Sequence, residues 1–347
     1  MAFACNGSQL ATALIQLRTV TRVLVRVAEF RATKFAQLER QARAISWNVW
    51  QPANRGARFR VTCRKSRLYH SDAVAERIAG AVAEQVPGVQ TAEAARDDDD
   101  DAGDAQLFVV RMSHDVCTIS VDAAGAPLYM RGYRQEVAKA PLRETLAAAM
   151  LIGAGWNRTT AVCDVFCGSG TIVIEAALIA RGIAPGLKRS FAAERWPSAD
   201  GTAWREVRAR AQSGVRDVVP PPLVGTDRDA GAIEAARANA ERAGVGDDIE
   251  FRVAAMSDAS APAATGLLVT NPPYGVRTGE AATLRNLYAR LGAVARDEFA
   301  GWHAAILSGD RTSGHVLERQ LRLRLTPAWR SVNGGIPVRL LLGAIGG

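Results

Sequence analysis

The chain has 347 residues, a formal net charge of +8 and a hydrophobic fraction of 48%. This length allows two domains, each with its own core, and no apolar run is long enough to span a membrane. The first residues lack the basic and apolar regions of a signal peptide. The five cysteines are an odd number without Cys-x-x-Cys spacing, which disfavours a disulfide framework or a zinc site. We therefore expect a soluble, cytoplasmic protein without a bound metal.

The positive charge is concentrated near the N-terminus. Residues 1–70 contain 13 basic and 2 acidic residues, whereas the rest of the chain contains 30 basic and 33 acidic ones. This asymmetry favours a nucleic-acid-binding module joined to a nearly neutral catalytic module. A basic surface that is merely solvated is the simpler alternative.

The N-terminal part predicts a small α/β domain. Patterns of apolar residues indicate a strand over 17–28, a helix over 34–45, a basic strand over 57–65 and a helix with Ser71 as N-cap. Arg64, Lys65 and Arg67 lie where the second strand passes into the helix, so they can contact RNA phosphates together with backbone donors.

The middle of the chain predicts a hairpin and then a change of domain. The hairpin is formed by 107–112 and 116–121, after an acidic run over 97–104 that we interpret as a solvated loop. A helix with a proline in its first turn follows over 140–150, and we place the domain boundary near 125–138.

Residues 161–180 have the pattern of a nucleoside-binding unit. A short apolar strand ends at Asp164, a turn contains Gly168 and Gly170, and an apolar helix follows. Glycines let a backbone approach a ligand closely, and a helix N-terminus favours a carboxylate. A second strand ends at Asp227, where an acid can bind ribose hydroxyls.

The spacing separates this pattern from that of a dehydrogenase. Asp227 lies 57 residues beyond Gly170, whereas a dinucleotide fingerprint has its acid only ~20 residues on. Most of the extra length is the segment 186–222, which we interpret as an insertion rich in Trp, Pro and Arg.

The stretch Asn271-Pro272-Pro273-Tyr274-Gly275 follows another short apolar strand, 267–269. Its two prolines restrict the backbone, so the turn is expected to be rigid. It offers a side-chain amide, carbonyl oxygens and an aromatic face, which suit a planar group that carries an NH2. A proline-rich turn capped by Asn is the structural alternative. Further strands are expected over 249–253, 303–307, 321–325 and 338–342, the last two joined by the turn 333–335.

These motifs resemble a known family. The segments 164–171, 225–227 and 271–275 are similar to class I S-adenosylmethionine-dependent methyltransferases that act on exocyclic amines. The segments 131–134, 140–147 and 333–338 narrow the resemblance to THUMP-domain RNA guanine-N2 methyltransferases, in particular those of bacterial large-subunit ribosomal RNA. The family commonly has Pro where Val165 stands. It also usually has a further α/β segment before the first strand, so either the sequence starts late or its RNA-binding module is shortened.

The resemblance implies an α/β fold with a THUMP-like RNA-binding domain over 1–125. A Rossmann-like methyltransferase domain with a mixed seven-stranded sheet would occupy 126–347. The implied cofactor is S-adenosylmethionine, and the implied partner is RNA. The implied cofactor-binding residues are Asp164, Cys167, Gly168, Gly170, Thr171, Asp227, Asp258 and Asn271. The implied catalytic residues are Asn271, Pro272 and Tyr274, and the implied RNA contacts are Arg64, Lys65, Arg67, Arg131 and Arg134.

Several alternatives stay open at this point. A transfer RNA guanine is the nearest one, because THUMP domains serve both RNA classes. DNA adenine and protein glutamine also present a planar NH2 to such a turn. A non-enzymatic RNA-binding chaperone with a vestigial cofactor fold is the alternative from another class.

Overall fold

The computed structural model describes residues 2–91, 104–135, 142–217, 221–274, 281–310 and 312–346. Most of the acidic run 97–104, the expected helix start at Ala140-Pro141, and Gly275 lie outside these ranges. The chain divides into two compact units. Unit 1 comprises Met1–Leu128 and Gly186–Ala211, and unit 2 comprises Tyr129–Pro185 and Gln212–Gly347. The functional assignment of 1–125 and 126–347 stays a prediction, because compactness does not reveal function.

The helices and strands of the described ranges are numbered in chain order. The helices are α1 Gly7–Gln16, α2 Phe35–Arg43, α3 Ser71–Gln85, α4 Glu144–Gly153, α5 Thr171–Ala180, α6 Gly201–Ser213, α7 Ala230–Ala243, α8 Ala281–Glu298 and α9 Thr312–Leu321. The strands are β1 Leu24–Arg31, β2 Gly56–Arg64, β3 Gln90–Thr91, β4 Gln106–Ser113, β5 Val116–Asp122, β6 Ala161–Asp164, β7 Leu223–Asp227, β8 Glu250–Val253, β9 Gly266–Thr270, β10 His303–Gly309, β11 Thr326–Asn333 and β12 Ile336–Ala344. In these ranges no helix is both long and apolar enough to cross a bilayer.

Unit 1 contains a five-stranded sheet with the order β1-β5-β4-β2-β3. In β2, Ala57 and Phe59 alternate with arginines, so they share a face with Phe108 of β4, whereas Leu107 and Val109 of β4 are buried on the other face. On the first of these faces Phe59 stacks on Phe108 at a ring distance of 5.5 Å, and Trp47 packs edge-on against Phe108 at 5.4 Å. The predicted strand, helix, strand and helix are all present, as is the hairpin of β4 and β5.

Three details of unit 1 differ from the sequence expectation. The first strand is Leu24–Arg31 and not 17–28, and the unpredicted helix α1 precedes it, with Asn6 and Gln9 forming a capping box. The register of β1 shifts between Arg26 and Ala28, which explains its imperfect alternation. Ser71 begins α3 but does not cap it, since its hydroxyl contacts Asp72.

The segment treated as an insertion contributes to both units. Gly186–Ala211 belongs to unit 1, where the Trp196 indole N–H donates to Gln106 Oε1 at 2.8 Å and the Ser198 hydroxyl donates to the carbonyl of Val49 at 2.9 Å. Trp196 also packs edge-on against Trp50 at 5.2 Å. The tryptophans of this segment therefore form part of a core, which was not evident from its composition.

Unit 2 contains a seven-stranded sheet with the order β11-β12-β10-β9-β6-β7-β8. The strands from β10 to β8 run parallel, and β12 and β11 add an antiparallel edge. This confirms the predicted α/β fold with a mixed seven-stranded sheet, whereas the THUMP-like character of the N-terminal domain stays a prediction. Buried clusters lie on both of its faces, and α5 is buried along its whole length, which explains its continuous apolar sequence.

The last strands show one wrong and one correct prediction. The leucine-rich stretch 321–325 is not a strand: Leu321 ends α9, and Arg322 takes a left-handed conformation with φ +51. Leu323 and Leu325 pack against the core from a connecting segment, so their alternation only imitates a strand. The hairpin with the turn 333–335 is confirmed, with Asn333 opposite Ile336.

Candidate active site

Three of the predicted polar side chains lie at the carboxyl ends of parallel strands in unit 2. Asp164 ends β6, Asp227 ends β7, and Asn271 directly follows β9. Because β6 lies between β9 and β7, the direction of the strand order reverses beside it. Open α/β sheets bind their ligands at such a reversal, outside the carboxyl ends of the strands.

Asp164 links the two strands at this reversal. Its carboxylate accepts a hydrogen bond from the Thr270 hydroxyl at 2.7 Å and another from the backbone N–H of Phe166 at 3.1 Å. The side chain is buried, with 1% of the residue exposed. Burial raises the pKa of Asp164 to about 7 against the effect of these two hydrogen bonds, and the nearby Asp227 carboxylate also raises it.

Asp227 holds the glycine turn onto β7. Its Oδ2 accepts from the backbone N–H of Gly168 at 3.1 Å, and its Oδ1 accepts from that of Asp229 at 3.0 Å. The backbone N–H of Cys167 donates to the carbonyl of Thr226 at 3.0 Å. These bonds fix the turn, while the carboxylate keeps lone pairs that can accept from ribose hydroxyls.

The two glycines of the turn have different roles. Gly168 has φ +51, and a Cβ added there would meet no atom within 4 Å, so the turn is open on that side. Gly170 has φ +83, but its Cβ would lie 3.0 Å from the Ala236 Cβ and 3.2 Å from the Phe251 ring. Gly170 therefore permits close packing of α7 and β8. The cofactor contact predicted for both glycines stays a prediction.

The residues around this turn fit a nucleoside donor with an amino-acid end. α5 begins at Thr171 with Gly170 as its N-cap, and no side chain caps it, so its first N–H groups can meet a carboxylate. Asp258 is exposed in the short turn after β8, where its Oδ1 accepts from the Ser257 hydroxyl at 3.0 Å. The Cys167 side chain is buried in the core, so its predicted contact with the cofactor would come from the backbone.

The turn after β9 carries an unused acceptor. The Oδ1 atom of Asn271 is buried and has no hydrogen-bond partner among the residues that the structure describes. Pro272 is buried and Pro273 is exposed. Tyr274 is half-buried, and its hydroxyl oxygen accepts a hydrogen bond from Asn333 Nδ2 at 2.8 Å. Burial raises the pKa of Tyr274, and the hydrogen bond with Asn333 holds its ring beside the turn.

Comparison with known proteins agrees with this geometry. Residues 131–337 match the model of the RMKL-like methyltransferase domain family, UPF0020. A Synechocystis protein with a provisional RNA methyltransferase name is 33% identical over 93% of this chain and 83% of its own length.

The chain belongs to this methyltransferase family. The ribosomal RNA large subunit methyltransferase K/L of Syntrophotalea carbinolica is 37% identical over 93% of this chain, which spans only 46% of that relative. The solved structure of the methyltransferase-like protein SMU.472, in complex with S-adenosylhomocysteine, is 27% identical and has a TM-score of 0.83 over 98% of this chain and 88% of that one. The chain is thus an S-adenosylmethionine-dependent enzyme, and its donor supplies the methyl group when bound.

Two residues of this methyltransferase site were missed from the sequence. Thr270 follows the predicted apolar strand and was given no role, although its hydroxyl binds Asp164. Asn333 was interpreted only as part of a hairpin turn, although it binds Tyr274. The Asn-Gly-Gly triplet was the available signal for Asn333, but nothing local indicated its partner.

Asn239 is a third residue that the sequence analysis missed. It is fully buried on α7, and its Nδ2 donates to the carbonyl of Ser169 in the glycine turn at 3.1 Å. Its Oδ1 accepts from the backbone N–H of Gln135 at 3.4 Å. Asn239 therefore joins the glycine turn to the segment that precedes α4.

Two predicted RNA contacts require correction. Arg131 is buried, and its Nε lies 3.3 Å from Glu175 Oε1, which also accepts from the Tyr133 hydroxyl at 3.3 Å. Arg134 donates to the carbonyl of Leu142 at 2.6 Å and pairs with Glu144 at 3.2 Å. Both guanidinium groups are engaged inside unit 2, so they support its packing and do not face RNA. Arg64, Lys65 and Arg67 are exposed in unit 1, as an RNA contact requires.

The two glycines give a matched pair of substitutions. Gly168→Ala should destabilise the protein by about 1 kcal/mol, because of its positive φ alone, and should abolish detectable S-adenosylmethionine binding. Gly170→Ala should cost roughly 2 kcal/mol more, because its Cβ also overpacks the core. Urea unfolding and titration calorimetry measure both effects. Wild-type cofactor affinity in Gly168→Ala would contradict the role assigned to the open side of the turn.

The contact between Asn333 and Tyr274 can be tested by a double-mutant cycle. Asn333→Ala and Tyr274→Phe each remove the same hydrogen bond, so the double variant should lose less stability than the two single losses added together. The expected coupling is about 1 kcal/mol, measured by urea unfolding. Cofactor affinity should stay unchanged throughout. Additive losses would show that the two side chains do not interact.

Proposed function

We propose that this enzyme transfers a methyl group to the exocyclic N2 amine of a guanine in RNA, with large-subunit ribosomal RNA as the substrate. The observation that carries the proposal is the buried Oδ1 of Asn271, which lacks a hydrogen-bond partner among the described residues. A buried acceptor without a donor is unfavourable unless a ligand supplies one. An NH2 group is such a donor.

The other groups of the turn suit the same acceptor. The Pro272 carbonyl provides a second acceptor for the NH2, and the ring of Tyr274 provides a surface on which the base can stack. Two acceptors that hold both N–H bonds would direct the nitrogen lone pair toward the methyl group. The reacting atoms need to be about 3 Å apart, so positioning makes the main contribution.

A base reaches this turn only when it has left its stack, because enzymes that modify a base extrude it first. The stacking surface of Tyr274 would compensate for part of the lost stacking in RNA. Its hydrogen bond with Asn333 keeps the ring in place before the base arrives. Such preorganisation reduces the cost of ordering the site on binding.

The choice of RNA rests on two supports. One is the name of the K/L relatives, which refers to ribosomal RNA of the large subunit. The other is the basic character of residues 1–70, with Arg64, Lys65 and Arg67 as the proposed phosphate contacts. A ribosomal substrate would place the reaction in the cytoplasm. The contacts of Asp227 with ribose and of Asp258 with the adenine amine belong to the same proposal.

Asn271→Ala should lower methyl transfer about a hundredfold or more, because it removes an acceptor that positions the nucleophile. Cofactor affinity should change little. Methylation is measured with tritiated donor and ribosomal RNA from cells that lack the gene, and affinity by calorimetry. Asn157→Ala, at an exposed asparagine of the same unit, is the matched control. Full activity in Asn271→Ala would refute the proposed role.

The substrate is identified by mass spectrometry of nucleosides from ribosomal and transfer RNA, in cells with and without the gene. We expect N2-methylguanosine to fall in large-subunit ribosomal RNA, and to return with the wild-type gene but not with Asn271→Ala. A loss confined to transfer RNA would identify that alternative. Unchanged RNA together with lost methyladenine in DNA or lost methylglutamine in protein would refute an RNA substrate. No change in any of them would favour a non-enzymatic role.

A further inference from the structure

One end of the sheet in unit 1 concentrates basic side chains. Arg64 of β2 is paired with Ser113 of β4, which is paired with Val116 of β5. Val116 is in turn paired with Arg31 of β1. Side chains at paired positions project from the same face of a sheet, so Arg64 and Arg31 belong to one row. Arg111 lies in the adjacent row on the same face, opposite Thr62.

These basic side chains lie on the face opposite the packed aromatic rings. Phe59 and Phe108 are also paired in register. Thr62 and Arg111 each follow one of these rings at an odd separation along the strand, which places their side chains on the opposite face of the sheet. The apolar row is therefore buried, whereas Arg31, Arg64 and Arg111 are exposed. The exposed fraction of the Arg31 side chain is 75%.

The loop between β2 and α3 is fixed at the same end. The backbone N–H of Arg67 donates to Asp115 Oδ1 at 2.8 Å, and the backbone N–H of Asp115 donates to the Ser66 hydroxyl oxygen at 3.1 Å. Asp115 lies in the turn between β4 and β5, next to the row that contains Arg64 and Arg31. Lys65 takes a left-handed conformation with φ +49. These contacts hold Lys65 and Arg67 beside the two arginines of the row.

An aromatic side chain is exposed in this loop. Tyr69 is 67% exposed, although its neighbour Leu68 is buried. The rings of Tyr69 and His70 lie 4.0 Å apart with an interplanar angle of 40°, which restrains the phenol from one side. An exposed tyrosine that is anchored by a buried neighbour and supported by a second ring offers a flat stacking surface to a ligand.

We propose that this region, the Tyr69 surface, binds an unpaired stretch of RNA. It consists of Arg31, Arg64, Lys65, Arg67, Tyr69 and Arg111. The basic side chains contact successive phosphates, and a base stacks on Tyr69. Among the residues that the structure describes, three carboxylates lie in this region. Asp115 is engaged by the loop and lies 3.9 Å from Arg31, Glu29 shares the row of Arg111 and pairs with Arg26, and Asp72 lies in the first turn of α3. The five basic side chains outnumber them, so positive charge prevails. The proposal rests on the proposed function for its choice of RNA and adds the recognition of a single strand.

The aromatic ring is what distinguishes a single strand from a duplex. Basic side chains alone bind either form, because both present phosphates. Bases inside a duplex are already stacked on both faces, whereas an unpaired base has a face available for an aromatic side chain. Stacking and phosphate contacts can be separated experimentally, because only the phosphate contacts release counterions.

The test uses two fluorescent RNA probes, a short duplex with an unpaired overhang and the same duplex with blunt ends. By fluorescence anisotropy, Tyr69→Ala should bind the overhang probe about tenfold more weakly than the wild type does. Its affinity for the blunt probe and the salt dependence of binding should not change. Tyr69→Phe should bind the overhang probe like the wild type. Arg64→Ala should lower the salt slope by about 0.7 on the overhang.

The control is Phe3→Ala, which removes another exposed aromatic ring of unit 1. Wild-type affinity of Tyr69→Ala for the overhang probe would overturn the inference, as would an equal loss on both probes or an equal loss in Phe3→Ala. Circular dichroism checks that each variant is folded. Methyl transfer is assayed separately. If RNA binding depends on Tyr69 but no N2 methylation occurs, only the proposed function is refuted. If N2 methylation occurs but Tyr69→Ala does not change RNA binding, only this inference is refuted.

Discussion

The site depends on the hydrogen bond between Thr270 and the buried carboxylate of Asp164. β6 leads into the glycine turn, which we propose for the methyl donor, and β9 leads into the turn of Asn271, which we propose for the methyl acceptor. The bond joins the ends of these two strands where the strand order reverses. Burying a carboxylate is unfavourable, and burial raises the pKa of Asp164 to about 7. Ionisable groups with such shifted pKa values are often found at functional sites.

A second restraint comes from the antiparallel edge of the same sheet. The β11–β12 hairpin places Asn333 where it donates to the Tyr274 hydroxyl, so the aromatic ring of the acceptor turn is fixed from outside the turn itself. The glycine turn is fixed similarly, because Asn239 of α7 donates to the carbonyl of Ser169. The glycine turn and the turn of Asn271 are thus held by separate parts of unit 2.

The sequence predicted those features that depend on local pattern. A short apolar strand that ends in Asp164, Asp227 or Asn271 is visible within a few residues, and parallel strands bring such ends together. Thr270 and Asn333 were missed because their partners lie 106 and 59 residues away along the chain. No local pattern reports contacts of that kind.

The predictions that the structure contradicts also failed for physical reasons. The leucines of 321–325 alternate as in a strand, but they pack from a segment that follows α9. Arg131 and Arg134 were RNA contacts implied by the family resemblance, whereas here buried carboxylates pair with them. The packing role of Gly170 was not evident from the sequence either, because Ala236 and Phe251 approach it only in three dimensions.

The central claim is that the turn after β9 grips the exocyclic amine of a guanine beside the methyl donor. A crystal structure of the protein with S-adenosylhomocysteine and a guanine-containing RNA measures this directly. We predict that the N2 amine lies within hydrogen-bond distance of Asn271 Oδ1 and the Pro272 carbonyl, with the base stacked on Tyr274. A guanine bound elsewhere, with Asn271 Oδ1 still lacking a partner, would contradict the claim.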